Sequence, residues 1–231
     1  LSTFILCCAF KGSAQRISDY SSRWQIWINI SPDFTFRKQE LLPGYGVYDP
    51  SAIEQPKFNY TAGMNVACQV KPHFSLEAGI QYAKRSYDPK GRVVYFPLMH
   101  GPNAPSYVWY ARDFGYLSVP LKVVYKTGGE KLRFIGSAGL AVDFVIHEIS
   151  HATYQYQNKM PQSSDVKDLE YFKRFNLTAL ASAGVEMSLG SRVNLRIEPV
   201  FRYSILKMES DSDPRSETHL WNVGINVGCY F

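Results

Sequence analysis

The chain has no apolar run approaching the roughly 18 residues that a membrane-spanning helix needs, which excludes a helical membrane protein. Cysteine is scarce, 4 in 231 residues, and beyond the amino-terminal stretch only Cys68 and Cys229 remain. That is too few for a disulfide-stapled scaffold. Charge of neither sign is concentrated. Lys and Arg total 25 and Asp and Glu 20, so the formal charge of +5 is small and scattered. Without a block of basic residues, nucleic acid is not an expected partner. A membrane barrel survives all three absences, because its strands carry apolar residues only at every second position.

Aromatic residues, by contrast, reach 15%, led by Tyr 16 and Phe 14. Much of the apolar content sits in eight alternating segments. Successive strand side chains point to opposite faces, so each segment reads as a strand with one apolar and one small-polar surface. They are Trp24 to Ile30, Phe58 to Val70, Phe74 to Ala83, Tyr116 to Lys126, Leu132 to Ile146, Phe175 to Leu189, Val193 to Tyr203 and Leu220 to Phe231. In the second, Phe58, Tyr60, Ala62, Met64, Val66, Cys68 and Val70 oppose Asn59, Thr61, Gly63, Asn65, Ala67 and Gln69 without a break in phase. Cys68 and Cys229 both take the apolar phase. A single bridge is conceivable in an oxidising compartment, but an intervening strand favours two free thiols in an apolar layer.

The connections alternate as well. Lys71-Pro72-His73, Thr127 to Lys131 and Gly190-Ser191-Arg192 read as tight hairpin turns. The other links, roughly Arg37 to Lys57, Arg85 to Asp113, His147 to Arg174 and Leu206 to His219, are long. Long loops at one end, short turns at the other and an even strand number predict an eight-stranded antiparallel up-and-down transmembrane β-barrel, of the small OmpA/OmpX type. A secreted soluble β-protein is the alternative. On the barrel plan both termini are periplasmic and outer-membrane lipid surrounds the apolar phase. Glu77, Lys122, Arg133, Asp143, Glu186, Arg196, Glu198 and Arg202 then point into a lumen only wide enough for side chains, where charges must pair.

Upstream, Leu1 to Phe10 is apolar and Gly12-Ser13-Ala14 precedes Gln15, which suits signal-peptidase cleavage after Ala14. The expected organisation is a signal peptide over 1–14, a short periplasmic lead over 15–22 and the barrel over 23–231. A buried amino-terminal strand is the alternative for the first stretch.

The last segment places Trp221, Val223, Ile225, Val227, Cys229 and Phe231 on one face and Asn222, Gly224, Asn226, Gly228 and Tyr230 on the other. It resembles the carboxy-terminal strand of bacterial outer-membrane barrels. That resemblance makes Trp221, Val227 and Phe231 a candidate insertion signal, with the barrel assembly machinery as a partner. The run Tyr116-Leu117-Ser118-Val119-Pro120-Leu121-Lys122, followed by K-L-R-F-I-G-S-A-G over 131–139, is similar to the PorT-like outer membrane β-barrel family of the Bacteroidota. Members commonly carry G-A-G where Ser137 here gives G-S-A-G. The resemblance implies an outer-membrane location and no particular activity, although PorT itself is linked to protein secretion.

Three motifs could carry function. His147-Glu148-Ile149-Ser150-His151 matches H-E-x-x-H, but the zinc chemistry needs a helix, and here the match opens a loop at the end of the fifth strand. A coincidental match is expected, with no metal and no cofactor. Ser150 with His151, or Ser216 with His219, could form a lipid-hydrolysing pair, yet neither has an evident carboxylate to orient the base. The second long link carries Tyr95, Phe96, Tyr107, Trp109 and Tyr110, an aromatic set suited either to a protein partner or to mutual packing in a hairpin. The expected function is therefore non-enzymatic, a rigid barrel presenting loops to a partner, with membership of a larger outer-membrane or secretion complex included. A narrow pore and a lipid-modifying enzyme are the alternatives.

Overall fold

A computed structural model describes residues 24–41, 54–89, 107–129, 131–156, 160–166, 172–190, 193–208 and 216–230. The expected signal peptide and lead, Tyr95 and Phe96, and Phe231 lie outside the described residues. Every regular element described is a strand: β1 (Trp24–Leu41), β2 (Glu54–Lys71), β3 (Phe74–Pro89), β4 (Tyr107–Gly128), β5 (Leu132–Gln155), β6 (Gln162–Val166), β7 (Phe175–Ser188), β8 (Asn194–Ser204) and β9 (Ser216–Tyr230). Neighbours pair antiparallel in the order β4-β3-β2-β1-β9-β8-β7-β5, and β4 also pairs with β5, so eight strands close a ring. β6 stands outside that ring. It pairs only with Ser150 to Tyr154 of β5, past the point where β7 has left that edge.

The alternation in the sequence becomes an inside-out burial pattern. Along β1, Trp27, Asn29, Ser31, Asp33 and Thr35 are buried, while Ile26, Ile28, Ile30 and Phe34 are about half exposed. Along β4, Leu117, Val119, Leu121, Val123 and Tyr125 face outward and Ser118, Lys122 and Val124 face inward. An apolar outer band around a polar interior has no stable place in water and suits a bilayer. Small residues let the walls close on large ones. A methyl group at Gly228 would strike the Trp27 ring, and one at Gly224 would strike the Asp33 carboxylate. At the turn end, Gly128 and Gly190 adopt φ of 127° and 151°, open to glycine and strained for other residues.

Several strands run further than the alternation predicts. β1 continues past Ile30 to Leu41, and β3 past Ala83 to Pro89. Pro32-Asp33 looks like a turn in sequence, yet Ser31, Asp33 and Thr35 keep the inward phase unbroken. β4 begins at Tyr107, so Tyr107, Trp109 and Tyr110 belong to a strand paired with Gln155, Thr153 and Ala152, and not to a loop. β5 continues past Ile146 to Gln155, which corrects the placing of His147 to His151 in a loop. The cause is a bulge. Tyr116 pairs with Val145 and Gly115 with His147, so Ile146 is an extra residue that reverses the phase beyond it. The two-residue period breaks there while the backbone ladder does not. β4, β5 and β6 thus form a small sheet projecting beyond the apolar band at the loop end.

Candidate functional site: the filled lumen and its rims

The inward side chains form layers. Nearest the turns, Lys126 Nζ meets Glu186 at 2.9 Å and Arg133 approaches the same carboxylate at 3.5 Å. A cavity of about 220 Å³ opens there, lined among others by Gln25, Gln69, His73, Lys126 and Arg133. Above it, Trp27 stacks on Tyr230 at 5.3 Å, with the Arg196 guanidinium 4.9 Å from the Trp27 ring centre. Arg196 bridges Glu77 at 2.8 Å and Glu198 at 2.7 Å, and Lys122 pairs with Glu77. β3 and β8 lie on opposite sides of the ring, so the Glu77–Arg196 pair spans the lumen.

An amide chain follows. Gln81 donates to Asn65 at 2.9 Å, Asn65 to Asn29 and Asn29 to Asn226 at 2.8 Å each, and Asn226 to Glu198 at 2.8 Å. The next layer centres on Asp33, which accepts from Arg202 at 2.8 Å, Arg85 at 3.3 Å, Ser31 at 2.6 Å and Thr61 at 2.7 Å. Four donors around Asp33 supply the partners that a buried carboxylate needs. Two cavities inside the ring measure about 20 Å³ each, room for one water molecule apiece.

At the loop end the filling changes character. Ala83, Tyr87, Phe114, Tyr116, Phe172, Met208 and Leu220 form a buried apolar cluster. Phe114 is fully buried, edge-on to Phe172 at 5.1 Å and stacked with Tyr87 and Tyr116 at 6.1 Å. Backbone bonds from Met208 N to Thr218 O at 3.0 Å and from Lys173 N to Met208 O at 2.9 Å tie Phe172 and Met208 to this end of β9.

The eight charged positions expected in the lumen separate into groups. Glu77, Lys122, Arg196 and Glu198 come together, Arg133 meets Glu186, and Arg202 meets Asp33. Asp143 accepts a hydrogen bond from Thr178 at 2.5 Å. Other inward charges were not among those eight: Asp33 and Arg85 lie past the ends of the expected strands, Lys126 at the end of the fourth, and Glu148 beyond Ile146. Continuing the inward phase two residues past Ser31 and Ala83 would have found the first two. Trp221 faces outward, stacked on Phe36 at 4.0 Å, and Val227 pairs with Ile30 across the β1–β9 seam. Cys68 and Cys229 form no disulfide and lie on strands separated by β1.

The H-E-x-x-H residues do not converge. In a strand, positions four apart lie roughly 13 Å from each other. Glu148 is buried inside and accepts from Ser150 at 2.6 Å, while His151 takes the opposite face and meets Asp165 at 2.7 Å. Ser150 and His151 therefore point to opposite sides of the wall. The His219 ring nitrogen lies 3.0 Å from Ser204 O. Among the described residues no group of His, Cys, Asp and Glu is arranged to hold a metal.

Outside the barrel, at the loop edge of the apolar band, Tyr60 and Tyr82 pack at 5.9 Å, and His147 stacks on Tyr82 at 6.3 Å. His147 lies over Gly115, where any side chain would collide with its ring. Beyond this ledge, Lys57 and Lys84 reach the two oxygens of Asp113 at 3.0 and 2.9 Å. Burial raises the Asp113 carboxyl, but the Lys84 and Lys57 ammoniums outweigh it and hold it down at about 2.

With fold and lumen established, the class is an outer-membrane β-barrel. Residues 13–208 match the family described as outer membrane protein beta-barrel domain, and the chain belongs to that family. No curated protein matches it in sequence. Similar solved structures include Neisserial surface protein A, at 11% identity and TM-score 0.44, covering 90% of this chain and 96% of that one. OprG from Pseudomonas aeruginosa has 11% identity and TM-score 0.44, over 90% and 95%. The outer membrane enzyme PagL has 11% identity and TM-score 0.42, over 87% and 97%.

Proposed function

We propose that this protein is a non-enzymatic component of the bacterial outer membrane, a rigid barrel with periplasmic termini that presents its loop end to a protein partner. Within the family, the Tyr116 to Lys122 run supports placing it among the PorT-like small barrels. The observation that carries the proposal is the filling of the lumen. Glu77 and Arg196 bridge opposite walls, and the Phe114 cluster lies over the loop-end mouth. Such an interior favours a support over a conduit. The support it offers is the β4–β5–β6 sheet, whose first strand brings Tyr107, Trp109 and Tyr110 beyond the apolar band. Aromatic residues of this kind are frequent anchors of protein interfaces. Trp221, Val227 and Phe231 serve as the signal read by the assembly machinery.

Mild detergent extraction of the native membrane, affinity purification and mass spectrometry test this. A stoichiometric companion is expected, and Trp109→Ser with Tyr110→Ser should release it while leaving the barrel folded. Recovery of the chain alone overturns the proposal. Planar-bilayer recordings test the lumen: steady, defined openings would contradict a filled barrel.

A further inference from the structure

The outer wall carries a graded set of side chains that the partner proposal does not use. Along β3 the outward positions read Ile80, Tyr82, Lys84: an aliphatic chain that is 64% exposed, then an aromatic ring, then an ammonium. The adjacent strand repeats the grading, from Leu117 through Gly115, which His147 covers, to Asp113. On β2 the outward positions run Met64, Ala62, Tyr60 and Phe58, and Lys57 follows at the irregularity in the β2–β3 pairing between Pro56 and Thr61. Each outward step along a strand is about 7 Å, so the sequence of side chains tracks depth through a bilayer boundary. Aliphatic residues match hydrocarbon, and aromatic rings match the interface. The ammoniums then lie at the level of lipid phosphates.

We propose that Lys57 and Lys84, with the Tyr60–Tyr82–His147 ledge beneath them, form a docking site for a lipid bearing an anionic phosphate headgroup in the leaflet at the loop end. Three features favour that occupant. Asp113 holds both ammoniums by one oxygen each, at 3.0 and 2.9 Å, and so fixes their separation. Two cations against one carboxylate leave a net positive charge, and each ammonium has further N–H donors to give. Both lysine side chains remain about one third exposed, 35% and 34%, on the lipid side of the wall. The ring ledge below is shaped by Gly115, whose missing side chain is what allows His147 to lie flat against Tyr82. Acyl chains pack on Ile80 and Leu117 while the phosphate meets the lysines above the rings. The site rests on insertion of the barrel in a membrane and not on the protein partner.

The test uses the full chain, delipidated in a non-ionic detergent and titrated with dioleoylphosphatidylglycerol or dioleoylphosphatidylcholine, with bound lipid counted by native mass spectrometry. Phosphatidylglycerol should be retained over phosphatidylcholine by about fivefold, the effect of one net cation near a membrane surface. Lys57→Gln with Lys84→Gln should bring the two lipids to parity, whereas Lys131→Gln, beside the turns, should leave the preference intact. Heat-modified gel mobility reports that each variant is folded, and either single lysine variant gives an intermediate preference should the double variant fail. Equal retention of both lipids by the wild type, or an unchanged preference in the double variant, overturns the site. Loss of phosphatidylglycerol on addition of millimolar inorganic phosphate would also overturn it, by assigning the lysines to free phosphate.

Discussion

The two halves of the lumen fill the same narrow cylinder by opposite means. Towards the turns, Arg196, Glu77, Glu198, Lys122, Lys126 and Glu186 are joined by short ion pairs. At the loop end, Tyr87, Phe114, Tyr116, Phe172 and Leu220 pack on one another, with the Arg37 and Arg112 guanidiniums over the Tyr87 and Phe172 rings. The ionic half is bound by matched charges, so losing one member leaves its partners buried and unpaired. The aromatic half is bound by contact area, so losing one ring leaves a void. The first is intolerant of deletion and the second of shrinkage, and each has its own expected failure.

The largest effect should come from Arg196→Met, which leaves Glu77 and Glu198 with Lys122 as their remaining cation. Removing one member of a buried ionic cluster costs about 3–5 kcal/mol, to be read as a lower urea midpoint for unfolding from lipid vesicles. A shift below about 1 kcal/mol, the scale of an exposed pair, would mean that water reaches this layer. Phe114→Ala should cost about 3 kcal/mol through the cavity it leaves. Phe114→Ala combined with Phe172→Ala should still leave planar bilayers silent, because the Asp33–Arg202 and Glu77–Arg196 bridges lie below. Channel openings in that variant would instead make the aromatic cluster the sole gate. Ser182→Ala removes one donor, at 2.8 Å from Glu198, and should cost about 1–2 kcal/mol on the same assay.

The smallest effect lies outside both halves. The Asp113 carboxyl is held at about 2, below its ordinary 3.8, and a depressed acid stabilises the fold where it is ionised. That contribution should be complete above about pH 4 and fade as the pH falls towards 2. The difference in unfolding midpoint between wild type and Asp113→Asn should shrink over that window and stay constant above it.

How much of this was legible depends on the residue. The inward phase of Trp27, Asn29, Glu77, Lys122, Arg196 and Glu198 follows from alternation alone, because strand geometry is local. Strand ends were less legible. Pro32-Asp33 has the chemistry of a turn, yet the residues pair across the wall with Tyr60 and Asn59 and the strand runs on. The H-E-I-S-H segment looked like loop because one extra residue, Ile146, shifts the phase that alternation relies on. β6 has no apolar phase at all, being Gln162-Ser163-Ser164-Asp165-Val166, and only its pairing with β5 makes it a strand.

By itself the sequence determined the eight barrel strands over most of their length, the faces of those stretches, the even ring and the inverted distribution of apolar and polar residues, all consequences of a two-residue period read along one strand. Tertiary structure decided which charges meet. Glu77 and Arg196 lie 119 positions apart and Asp33 and Arg202 lie 169 apart, and no local pattern encodes pairs formed across a closed ring. It also decided that an aromatic cluster lies over one mouth and that Lys57, Lys84 and Asp113 gather on the outer wall. Those contacts depend on register between strands, which closure of the barrel fixes and a single strand cannot.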